Sequence, residues 1–162
     1  MLTLLVACSS VQTSPDGKMV PSSGAQESDA PALDNHDADS FNADGELLVD
    51  AISPYIVYNV AGFEHARELN KVIFLEFYAD WCPYCRTLDP QIRETFKNLN
   101  DTDVVGFRVN YDKDIALKKQ YNVVYQHTHI VLDRRGNIVH KALETEWDEN
   151  AIKAAILKAK GE

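Results

Sequence analysis

Cysteine is scarce in this chain, with three residues in 162, at Cys8, Cys82 and Cys85. A structural zinc site of four thiolates is therefore excluded. Long apolar runs are missing as well: no segment supplies the ~20 apolar residues that a membrane-spanning helix needs. Positive charge is also short. Sixteen Lys and Arg stand against 25 Asp and Glu, for a formal net charge of −9. No basic patch carries interleaved aromatics, so nucleic-acid binding is not expected. There is no internal repeat. Residues 9–45 have almost no large apolar side chains, and seven acids (Asp16, Glu27, Asp29, Asp34, Asp37, Asp39, Asp44) face Lys18 alone. That stretch holds −6 of the −9, so the acidity belongs mostly to a tail and not to a functional face. Such a segment cannot bury enough surface to offset the entropy of ordering it, and it reads as a disordered acidic tether. His36 lies within it and is assigned no role.

Residues 46–162 suffice for one compact domain with a core. Pro54–Val60 reads as a short strand and Phe63–Leu69 as a short helix. Val72–Tyr78 is apolar except for Glu76, which suits a strand buried on both faces. Leu88, Ile92 and Phe96 recur every four residues and mark one face of a helix. Val104–Val109 is the next strand and Asp112–Tyr121 a short helix. Thr128–Asp133 and Asn137–Ala142 flank Arg134-Arg135-Gly136, a hairpin signal. Ile152, Ala155 and Ile156 mark a last helix, capped by Thr145 or Asp148. The order is β-α-β-α-β-α-β-β-α.

Trp81-Cys82-Pro83-Tyr84-Cys85 sits between the apolar strand and the helix of Leu88, Ile92 and Phe96. That context turns a bare C-x-x-C into a redox hypothesis. The strand delivers the first thiol to a helix N-terminus, where unpaired N–H groups and the dipole favour a thiolate. A thiolate attacks a disulfide, and the second thiol, one turn on, resolves the mixed disulfide. Two thiols with a histidine from elsewhere would instead make a metal site. A third reading is a binding or folding module with an inert disulfide, which a redox assay separates from the other two.

The element order, with the C-x-x-C opening the second helix, resembles the thioredoxin superfamily over roughly 70–156. Phe77-Tyr78-Ala79-Asp80-Trp81-Cys82 looks like the thioredoxin segment before the active site. It is most similar to periplasmic thiol reductases such as the C-terminal domain of DsbD. Pro90 sits where thioredoxins kink the active-site helix. Pro83-Tyr84 is the dipeptide glutaredoxins use, but glutathione-binding features are not recognisable, so glutathione use is not transferred. The resemblance implies an α/β, thioredoxin-like fold: a central mixed β-sheet flanked by helices, behind the disordered tether.

It also implies roles. Cys82 would be the exposed nucleophile and Cys85 the buried resolving thiol. Glu76 stands where thioredoxins place a buried acid, and burial should raise its pKa so that it takes the Cys85 proton. Arg108 falls near the lysine that accompanies that acid; it either pairs with Glu76 or is a solvated strand-end charge. Trp81, Pro83, Tyr84, His127 and Thr128 would form the substrate-binding rim. Tyr111 and Tyr125 are expected to pack. His127 takes the place of the cis-proline opposite the cysteines, in Gln126-His127-Thr128-His129. A cis bond before a non-proline costs ~2.5–4 kcal/mol, so the cis geometry is not expected to carry over. Losing that proline raises the alternative of a Cys82, Cys85, His127 site for copper, zinc or an iron–sulfur cluster. His129 is expected to face the other way, and His65 and His140 to be surface residues.

Leu5-Val6-Ala7-Cys8 resembles the lipobox of bacterial lipoproteins, in which a signal peptidase cuts before a cysteine that is then lipidated. Only seven residues, none basic, precede Cys8, so residues 1–8 read as a truncated lipoprotein signal. The other reading is a frayed apolar N-terminus with a free cysteine. The expectation is an extracytoplasmic enzyme, in periplasm or at the cell surface, anchored to a membrane through a lipid on Cys8. It would reduce protein disulfides, need no cofactor beyond the Cys82–Cys85 disulfide, and draw electrons from a membrane thiol donor. Nucleic acid is not an expected partner.

Overall fold

The apolar run Val72–Tyr78 becomes an interior strand in the computed structural model, which describes residues 45–143 and 147–161. In chain order the elements are β1 (Leu47–Val49), β2 (Tyr55–Val57), α1 (Val60–Glu68), β3 (Val72–Tyr78), α2 (Pro83–Leu99), β4 (Val104–Asn110), α3 (Ile115–Gln120), β5 (Thr128–Leu132), β6 (Ile138–Leu143) and α4 (Glu149–Lys160). The six strands form one mixed sheet in the order β1-β2-β4-β3-β5-β6. β2, β4 and β3 run parallel, while β1, β5 and β6 are antiparallel to their neighbours. Alternation along β3 divides its side chains between two cores. Ile73, Leu75 and Phe77 meet Phe63 and Ala66 of α1 and Leu117 of α3. Val72 and Phe74 meet Leu88, Ile92 and Phe96 of α2 and Ile152 and Ile156 of α4. No described helix is long and apolar enough to cross a membrane.

The order of elements is the one expected from the sequence, with β1 added. Leu47-Leu48-Val49 is too short to show a period. It forms because β2 presents an open edge, and the Val57 N–H donates to the Glu46 carbonyl at 2.8 Å. α1 starts three residues earlier than expected because Asn59 caps it, its Oδ1 accepting the Gly62 N–H at 2.7 Å. α3 starts three residues later. Asn110 Oδ1 accepts the N–H groups of Asp112 and Lys113 at 3.0 and 3.1 Å, and that local turn displaces the helix. α2 runs through Pro90. Asp148 caps α4, accepting the Ala151 N–H at 2.8 Å, while Thr145 lies outside the described residues.

Gly106 of β4 lies under a stack of Tyr55 and Phe96, whose ring centroids are 5.2 Å apart. A Cβ there would stand 2.6 Å from Phe96 Cζ and 2.7 Å from Tyr55 Cδ2. Gly106→Ala should therefore cost about 1–3 kcal/mol through overpacking. Urea denaturation measures this, and an unchanged midpoint would show that the stack yields freely.

Candidate active site

The end of β3 and the start of α2 place the two thiols. Cys82 is the N-cap of α2, and its Sγ accepts the Cys85 N–H at 3.3 Å. Pro83 opens the helix, where a missing N–H leaves no bond unmade. The Cys82 N–H donates to the Ala79 carbonyl at 3.0 Å, which tightens the turn out of the strand. First-turn N–H groups and the positive end of the helix dipole thus meet negative charge developing on Sγ. Both cysteines are free thiols packed with Ala79, Tyr78 and Tyr111. The expected exposure of Cys82 is not found: it is 1% exposed, because the residues around it close over the sulfur. Burial, then the hydrogen bond with Cys82, pushes the Cys85 thiol up to about 12.

His127 closes the site from the loop before β5. The nitrogen and sulfur donor atoms of Cys82, Cys85 and His127 all lie within 4.8 Å of one another, and all three residues are buried. The Tyr84 ring stands 5.6 Å from the imidazole, and His129 meets it edge-on at 5.2 Å. The His127 backbone is left-handed, with φ 66°, and its N–H donates to the Phe77 carbonyl at 2.7 Å. No peptide bond among the described residues is cis. Proline, with φ near −65° and no N–H, does not fit this backbone. Thr128 is buried, and its hydroxyl donates to the Tyr125 carbonyl at 2.7 Å.

Beneath the thiols lies Glu76, fully buried on β3. Its partner is Tyr55, whose hydroxyl donates to Oε2. Burial pushes the Glu76 carboxyl up to about 8, against the lowering effect of the Tyr55 bond. Glu76 charge in turn helps to raise Cys85, so the two groups sense each other. Arg108 pairs with Glu76 in strand register, yet its guanidinium bonds Asp89 at 3.4 Å and lies over the Tyr78 ring at 4.9 Å. It makes its direct contact with Asp89 and not with Glu76, yet its charge still works to lower the Glu76 carboxyl, so the first expected role is filled at a distance and not by a direct pair. Directly opposite Glu76 on β5 stands His129, also fully buried.

A strand-delivered dithiol at a helix N-terminus, over a buried acid, is a dithiol-exchange site. The thioredoxin family matches residues 55–158. The chain belongs to the thioredoxin family. It is similar to thioredoxin H2 of Arabidopsis thaliana, 33% identical over 97 residues, which cover 60% of this chain and 71% of that protein. Thioredoxin H5 of the same plant is 32% identical over 84 residues, covering 52% and 69%. Among solved structures, the Trxlp protein of Edwardsiella tarda aligns with a TM-score of 0.55 at 28% identity, over 62% of this chain and 95% of that one. Family membership makes the chain a thioredoxin-like protein-disulfide oxidoreductase. Nothing in these matches singles out the DsbD-like branch.

Among the remaining rim residues, Trp81 is 55% exposed and its indole N–H donates to Asp112 Oδ2 at 2.9 Å. Tyr84 is 58% exposed above His127. Tyr111 packs as expected and bonds the Val124 carbonyl, but Tyr125 is 61% exposed, not packed. His129 does not face away from His127, because residues two apart near a strand share a face. His140 is half-buried and stacks on Trp147 at 4.9 Å, whereas His65 is a surface residue. Cys8 lies outside the described residues. Sequence reasoning missed Tyr55, Asp89 and Asp112. Each has a partner 19 or more residues away that no local pattern signals, although Asp89 also accepts from Arg93 at 2.6 Å in an i, i+4 pair that the sequence does show.

Proposed function

We propose that this chain reduces protein disulfides outside the cytoplasm through Cys82 and Cys85. The placement of Cys82 Sγ at the start of α2, in contact with the Cys85 N–H, carries the reading. The Cys82 thiolate attacks one sulfur of a substrate disulfide and forms a mixed disulfide, and the other substrate sulfur leaves as a thiolate that takes a proton. Cys85 then loses its proton and attacks Cys82 Sγ, releasing the second substrate thiol. The two electrons come from the enzyme pair, which ends as a disulfide. A membrane dithiol donor returns it to the thiol form.

Glu76 accepts the Cys85 proton once its own carboxyl is ionised. With Glu76 held protonated to about pH 8, this step accelerates as pH rises through that value. Trp81, Tyr84 and Tyr125 give an exposed aromatic rim for a protein substrate. Because Cys82 is closed over, its cover shifts before a protein disulfide reaches Sγ.

The full chain should reduce insulin disulfides with a small dithiol as electron source. Its potential should lie near the ~−270 mV of a reducing thioredoxin, not the ~−120 mV of a strong oxidant. A rate no better than the small dithiol alone rejects the reading, and an oxidising potential reverses its direction.

The compartment rests on Leu5-Val6-Ala7-Cys8 and the acidic stretch after it. The mature chain should begin at a lipidated Cys8 and partition into membranes. Mass spectrometry of the native N-terminus checks this. An unmodified Met1 in the soluble cytosolic fraction removes both anchor and compartment.

A further inference from the structure

We infer that reduced Cys82 and Cys85, together with His127, form a binding site for one thiophilic d10 cation, Zn2+ or Cu+. The site uses the same dithiol as the proposed reductase but does not depend on turnover. Its donor set, two thiolates and one imidazole, is soft and matches both ions. Each donor is set by a different constraint. Cys82 is fixed as the cap of α2, and Cys85 follows one turn later. His127 is held by its bond to the Phe77 carbonyl and by its left-handed backbone, with Tyr84 and His129 against the ring.

The geometry is close to that of a bound site. The donor atoms lie within 4.8 Å of one another, and all three residues are buried. Around zinc, with bonds of about 2.3 Å to sulfur and about 2.0 Å to nitrogen, donors sit about 3.3–3.8 Å apart. Side-chain rotations of roughly an ångström at the donor atoms close that gap without moving strands. Binding displaces one proton from each thiol, and no electron moves. Two thiolates balance Zn2+, leaving a neutral buried unit, with one position open to an external ligand. Cu+ is satisfied by the three donors alone. Bound metal holds the dithiol reduced and closed to substrate.

The test uses the full chain carrying Cys8→Ser, so that the third thiol cannot contribute. The chain is reduced, stripped of metal, kept anaerobic, and titrated with Zn2+ or Cu+ against a chromophoric chelator. One ion should bind per chain. His127→Asn and His127→Gly both suit a left-handed backbone and keep the N–H, so each should fold. Each should weaken binding by at least about tenfold, or about 1.4 kcal/mol. A preformed Cys82–Cys85 disulfide should abolish binding. X-ray absorption of the zinc-loaded chain should show two sulfur scatterers and at least one imidazole nitrogen. Failure of the reduced chain to take either ion from the chelator overturns the site. So does equal binding by both His127 variants, which would leave a plain dithiol. Insulin reduction by the metal-free chain is read separately. Reduction without metal binding removes only this site, and metal binding without reduction removes only the reductase reading.

Discussion

Cys82→Ser should lower disulfide reduction by at least about a thousandfold, while Cys85→Ser should accumulate a stable mixed disulfide. The difference follows from position. Cys82 Sγ is the sulfur at the helix N-terminus, where backbone N–H groups face developing charge. Serine at that position caps the helix equally well but offers no sulfur to exchange. Cys85 is buried one turn deeper, and its thiol is pushed up to about 12. In the proposed cycle it therefore does not begin the reaction near neutral pH, and it ends it once Glu76 takes its proton. Non-reducing gels with mass spectrometry of the trapped adduct read both results. Retained turnover in Cys82→Ser, or adduct formation through Cys85, would reverse the roles. Glu76→Gln should leave the first attack intact, slow the second step, and remove its rise near pH 8.

Stability of the full chain should change with pH through two buried groups of opposite kind. Burial holds the Glu76 carboxyl up to about 8 instead of 4.5, so between those values the folded chain binds a proton that the unfolded chain has lost. Stability from this group is complete below pH 4.5 and is lost as pH rises towards 8. Burial, aided by the charges of His127 and His140, lowers His129 to about 3 from 6.5. Between those values the unfolded chain binds the extra proton. Stability from this group is complete above pH 6.5 and is lost as pH falls towards 3. Together they give a plateau from about pH 4.5 to 6.5 with a loss on each side. At about 1.4 kcal/mol per pH unit, each limb, from pH 4.5 down towards 3 and from 6.5 up towards 8, is at most on the order of 2 kcal/mol. Urea denaturation across pH 3–9 measures the limbs. Glu76→Gln should flatten the alkaline one. His129→Phe, which keeps an aromatic ring beside Phe74 and Trp147, should flatten the acid one. Wild-type and variant curves that run parallel throughout would refute the assignment.

These two groups also show how far the site was legible. Glu76 stands out in the sequence because a charge inside Phe74-Leu75-Glu76-Phe77 breaks an apolar strand. The pattern alone therefore predicts its burial. His129 looks like an ordinary strand residue, and its importance comes from register. β3 and β5 pair antiparallel so that His129 lies opposite Glu76, under Trp147.

The loop histidine beside the pair was legible only through the resemblance to thioredoxins, whereas the order of strands and helices, the dithiol at a helix start and the acid inside an apolar strand stand in the chain's own pattern. Those features are written in short-range signals: period, caps, a two-residue spacing, an interrupted apolar run. Which side chains meet across the sheet depends on how the elements pack. That packing gave Glu76 to Tyr55, sent Arg108 to Asp89, set His127 and His129 together, and closed the site over Cys82. The Tyr55–Glu76 and Arg108–Asp89 partners are 21 and 19 residues apart in the chain. Sheet register and helix packing bring them together: the hydrophobic pattern constrains which face a strand buries, but no short-range signal names the partner across the sheet.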